Sequence, residues 1–63
     1  MSIGEDLKAA RAKLGHSQKA AAHQMGVSLG ALTKWEHGER QPTVLSARRA
    51  VERYLKKAGI PHE

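Results

Sequence analysis

Five residues between positions 29 and 37 carry chemistry that a packing surface has no use for: Leu29, Gly30, Thr33, Lys34 and His37. On a helix advancing about 100° per residue, with Leu29 at zero, Thr33 falls near 40°, His37 near 80°, Gly30 near 100° and Lys34 near 140°. Ala31, Trp35 and Leu32 fall on the other side, near 200°, 240° and 300°. One side of this helix packs. The other offers an aliphatic group, a gap, a hydroxyl, an ammonium and an imidazole. Such a set can read base-pair edges in a major groove, where an ammonium donates to guanine O6 and N7 and a methyl packs on the thymine methyl. A solvated helix face is also mixed in character, so the surroundings must decide.

Those surroundings are a turn and a charge. Gln18 to His37 reads QKAAAHQMGVSLGALTKWEH. Ala21, Ala22 and Met25 share one face of a first short helix, and Leu32 and Trp35 share one face of a second. Between them, Gly26-Val27-Ser28 reads as a tight turn. Glycine closes a helix because it takes a positive φ without a Cβ clash, and Ser28 can cap the N–H groups that follow. Ala22 is small where two crossing helices come close. Lysine and arginine number 11 against 6 acidic residues, a formal charge of +5 with an isoelectric point near 10.1. That is the electrostatic footprint of a polyanion partner, although a basic balance alone does not distinguish a nucleic-acid binder from any other basic protein.

In this register the stretch resembles the helix-turn-helix of the phage repressor and Cro-like family. Gln18 stands at the start, Ala22 in the small slot, Gly26 at the turn, and Leu32 and Trp35 in the apolar slots. Trp35-Glu36-His37-Gly38 and Gln41-Pro42-Thr43 resemble that family's exit from its recognition helix. The resemblance runs from Leu7 to Pro42. It implies a sequence-specific regulator of double-stranded DNA, in which Leu29, Gly30, Thr33, Lys34 and His37 face the bases. Phosphates would be met by Gln18, Lys19 and Ser28 at helix starts and by Arg40 in the exit loop. The bland alternative for Gln18 is a solvent-exposed helix start. Resemblance also implies an ion pair between Arg11 and Glu36, tying the first helix to the recognition helix. For so short a chain it further implies a repressor acting on an inverted-repeat operator as a homodimer. Gly30 is either an opening for the DNA backbone or a merely permissive early position, at a cost of about 1 kcal/mol relative to alanine.

The elements that must hold this face are all helical. Ser2-Ile3-Gly4-Glu5 has capping-box spacing, and Glu5 and Asp6 suit the positive end of a helix dipole. Ile3, Leu7, Ala10 and Leu14 then form an amphipathic stripe closed by Gly15. His16 lies in the connector, and Ser17 caps Gln18 to Met25. After Gly38, residues Glu39 to Pro42 form the exit loop. Thr43 is expected to cap a long last helix, Val44 to Ala58, closed by Gly59 and Pro61. Its apolar stripe is Val44, Ala47, Val51, Leu55 and Ala58, with Leu45 and Tyr54 beside it. Many members of the resembled family end instead in two short helices. Here Tyr54, Leu55, Ile60 and the tail from Gly59 to Glu63 either supply a smaller dimer contact or only cover the core, and both uses on different flanks are expected.

The expectation is therefore an all-α compact bundle of four helices over residues 1–63, one domain with no strand, repeat or linker. So short a chain buries only ~60% of its unfolded surface. The sequence has no cysteine and no phenylalanine, with one tryptophan and one tyrosine, so disulfides and thiolate metal sites are excluded. No apolar run approaches the ~18 residues of a membrane span, and no secretory leader is visible, which points to the cytoplasm and the nucleoid. His16, His23, His37 and His62 match no metal-ligand spacing. No nucleophile–base pair or phosphate loop appears, so neither an enzyme nor a cofactor is expected. The competing reading is an antitoxin-like or other protein-interaction module, in which the basic last helix meets an acidic partner.

Overall fold

The computed structural model describes residues 3–60. It contains α1 (Ile3–Leu14), α2 (Gln18–Met25), α3 (Leu29–His37) and α4 (Leu45–Ala58), with no strand among the described residues. The expected all-α bundle is present. Ser2, Pro61, His62 and Glu63, on which the first cap and the tail were placed, lie outside the described residues.

Local chemistry accounts for the boundaries around α2 and α3. Ser17 Oγ accepts from the Ala20 N–H at 3.1 Å and Ser28 Oγ accepts from the Ala31 N–H at 3.1 Å. Each serine satisfies an amide that has no partner within its own helix. Gly26 turns the chain between them at φ 73°. The next amide, Val27 N–H, returns to the Ala22 carbonyl at 3.0 Å, closing the helix in the manner such a glycine permits.

The core is Leu7 and Ala10 from α1, Ala21, Ala22 and Met25 from α2, Leu32 and Trp35 from α3, and Val51, Tyr54, Leu55 and Ala58 from α4. α3 packs on α1 and α2, and α4 crosses the same two helices from its own side. Four alanines in this cluster remove side-chain bulk at the crossings, which lets the backbones approach. One approach is closer still. A Cβ on Gly4 would stand 2.7 Å from the carbonyl oxygens of both Trp35 and Glu36. The first turn of α1 therefore rests directly on the last turn of α3. The capping-box spacing around Gly4 does not reveal this contact. A glycine inside a helical first turn was the available signal.

The last helix corrects two expectations. Val44, not Thr43, is its N-cap residue, in extended conformation and with no side-chain cap bond. Val44 is 64% exposed rather than part of the core stripe, and Leu45, expected beside that stripe, is 60% exposed. On the helical wheel Val44 is in register with Val51, but it lies before the helix begins, so the register does not apply to it. Leu45 is about 120° away from Val51. Tyr54 and Leu55 are 4% and 0% exposed, because both point into this chain's own core. Ile60 also packs partly against that core. Tyr54 and Leu55 thus serve this chain's own core, one of the two uses expected of the stripe.

Candidate functional site

The outer face of α3 stands clear of the core. Leu29, Gly30, Lys34 and His37 are exposed and Thr33 is half-buried, while Leu32, Trp35 and Glu36 are buried behind them. The Thr33 hydroxyl donates to the Leu29 carbonyl at 2.9 Å. Its hydrogen is thereby committed to the helix, leaving the methyl and the oxygen lone pairs for anything outside. His37 Nδ1 lies 3.7 Å from Glu39 Oε2, both groups exposed, a pairing of little energetic weight at the surface.

Beside this face runs an open groove of about 370 Å³ between α3 and the exit segment. Ser28, Gly30 and Lys34 form one wall, Arg40 to Thr43 the other, and Ala31, Trp35 and Ala47 contribute to its lining. Two cations from separate elements, Lys34 and Arg40, thus share one groove. Gly30 opens it: a Cβ there would meet nothing within 4 Å. Gly30→Ala should therefore stabilise the isolated protein by about 1 kcal/mol through helix propensity alone, read as a rise in the urea midpoint without a change in slope.

Behind the face, one carboxylate joins three helices. Arg11 Nε donates to Glu36 Oε2 at 2.7 Å and Arg11 Nη2 donates to Glu36 Oε1 at 2.9 Å. Gln18 Nε2 donates to the same Oε1 at 3.0 Å. The Glu36 side chain is 0% exposed and that of Arg11 is 22% exposed. A two-pronged guanidinium–carboxylate pair fixes geometry as well as charge. The ion pair that resemblance implied is present, and Gln18 joins it, its amide nitrogen turned inward to the Glu36 carboxylate rather than outward to solvent. Burial opposes ionisation of Glu36, but the hydrogen bonds from Arg11 and Gln18 and the charges of Arg11 and Lys8 outweigh it. The carboxyl is held below the usual carboxylate range.

A second long-range contact braces this hub, between residues too far apart in the chain for any local pattern to pair them. His16 Nδ1 lies 2.7 Å from the Tyr54 hydroxyl, with the two rings stacked 5.8 Å apart. Arg11 Nη1 also donates to the His16 carbonyl at 3.4 Å. Burial pushes the Tyr54 hydroxyl above the usual phenol range. α4 is thereby linked to the connector between α1 and α2.

Of the expected phosphate contacts, Lys19 and Arg40 are exposed and Ser28 is engaged as the α3 cap. No group of three or more histidine, aspartate or glutamate side chains suited to a metal ion occurs among the described residues. Among the described residues, no helix is long and apolar enough to cross a membrane. Compared with known proteins, residues 7–56 match a family model described as helix-turn-helix. No curated protein and no solved structure matches the chain.

Proposed function

The chain belongs to the helix-turn-helix family of the Cro/C1 type, a family of DNA-binding transcriptional regulators, and from that premise we propose that it is a repressor reading an inverted-repeat operator as a homodimer. The observation that carries this reading is the outer face of α3, open to solvent and flanked by a groove with Lys34 and Arg40 in its walls. Leu29, the Thr33 methyl and Lys34 read base edges, Gly30 admits the duplex closely, and His37 lies at the margin. Lys19, Arg40 and the amides at the start of α2, beside Gln18, meet phosphates and set the register. The protein is a binder and not a catalyst, and it works at the nucleoid.

A single reading helix of this size distinguishes few base pairs. Two copies on half-sites ~34 Å apart would double the reading surface. Val44 and Leu45, the exposed apolar pair next to the exit loop, are the surface we assign to the contact between copies.

Selection of bound duplexes from a random pool tests the reading. An inverted repeat should be enriched. Lys34→Ala should relax the preference at one position in each half-site, at a cost of about 1–3 kcal/mol against the original sequence. Arg40→Ala should weaken all sequences alike and lower the salt slope by about 1. Enrichment of no sequence, with equal loss in both variants, would reduce the protein to a nonspecific basic surface.

A further inference from the structure

α4 carries five of the chain's basic residues, Arg48, Arg49, Arg53, Lys56 and Lys57, with Glu52 as its only acid. Helix chemistry explains two of them, since Lys56 and Lys57 in the last turn suit the negative end of the dipole. Arg53 has no such reason. It stands one turn before Lys57, where like charges at i and i+4 repel. Between these two residues and the end of α2 lies a second cavity, of about 160 Å³. Met25, Ala50 and Tyr54 contribute apolar lining, and Gln24, Arg53 and Lys57 supply polar groups. Lys57 Nζ reaches Gln24 Oε1 at 3.5 Å, which sets an ammonium over the α2–α4 seam.

The size of this cavity narrows what it can hold. Small-molecule sites are commonly about 300–1,000 Å³, so this one is too small for a cofactor and suits one side chain. A phosphate backbone would use the two cations but has no need of the apolar lining. We propose that the α2–α4 seam docks an acidic segment of another protein, one apolar side chain entering beside Met25, Ala50 and Tyr54 while flanking carboxylates meet Arg53 and Lys57. Methionine adapts its shape to an incoming side chain, and an anchor residue in a desolvated pocket with a polar rim is a common form of binding hot spot. None of these residues belongs to the face proposed to read DNA, and the inference does not rest on that reading.

The test uses the full chain and a labelled synthetic helix of about 14 residues, some four turns. The helix carries glutamates one turn to either side of a central leucine. A second peptide replaces that leucine with serine at the same net charge. Fluorescence anisotropy should find the leucine peptide bound about ten-fold tighter than the serine peptide. Arg53→Ala with Lys57→Ala should abolish that binding while leaving the circular dichroism melt and duplex affinity in place. Lys34→Ala should leave peptide binding unchanged. Equal affinity for the two peptides, or no binding of either, overturns the proposal. It is equally overturned if the double variant keeps the peptide and loses duplex DNA, which would assign the seam to phosphates.

Discussion

Arg11→Ala should cost the fold about 3–5 kcal/mol, comparable with the whole stability of roughly 3–9 kcal/mol expected for a domain of this length. The substitution removes two of the three hydrogen bonds to a carboxylate whose side chain is 0% exposed, leaving Gln18 alone to face a buried charge. Arg11→Lys should recover little, because an ammonium cannot donate the paired bonds of a guanidinium. Urea unfolding followed by circular dichroism at neutral pH measures both. The pH dependence identifies the cause. In the native protein the Glu36 carboxyl is held down. Its contribution is therefore complete above the ordinary carboxylate value of 4.5 and is lost as pH falls through the lower folded value. Without Arg11 the sign reverses. Burial then favours the protonated carboxyl, so the variant regains stability relative to the native protein as pH falls from neutrality toward that range. A gap between the two proteins that stays constant over this span would assign the cost to lost packing of the arginine stem.

Gly4→Ala should destabilise by about 1–3 kcal/mol, although alanine is the better helix former by about 1 kcal/mol. The new Cβ would meet the Trp35 and Glu36 carbonyl oxygens at 2.7 Å. Both are backbone atoms in the last turn of a packed helix, so neither can step aside as a flexible side chain would. Relief requires α1 and α3 to separate, which strains the Arg11–Glu36 bonds that span the same interface. The change should thus lower the melting temperature and also weaken DNA binding, although Gly4 lies away from the reading face. The same substitution at Gly30 has the opposite sign for stability, because nothing lies within 4 Å of a Cβ there. Measured side by side, the two variants separate helix propensity from steric space. Destabilisation at both positions would mean that the outer face of α3 is packed in solution.

The helices around the turn were legible because their ends are written in single residues. Ser17, Ser28 and Gly26 act through local hydrogen bonds and backbone conformation, which need no knowledge of the tertiary structure. The face of α3 was legible for a similar reason: its apolar positions already determine which side is left outside. The start of α4 was less so, since Thr43 is the better cap by residue type, yet the helix begins behind Val44, which makes no side-chain cap bond. The bond from Tyr54 to His16 was not legible, because an aromatic beside a stripe can point either way and its partner is remote in sequence. Gly4 is a contact between two backbones, and no side-chain pattern records it. The polar hub was anticipated only through resemblance, and the bond from Gln18 to Glu36 was not part of that expectation.

The separation of hub from face has a practical consequence for redesign. Leu29, Gly30, Lys34 and His37 project outward, and Thr33 bonds only to its own helix. None of them shares a hydrogen bond with Glu36, Arg11 or Gln18. These positions can be varied together in a combinatorial library without reopening the core, so most members should fold. The scaffold is thus a cassette: new operator preferences can be selected at a handful of codons while the remainder of the gene is held constant.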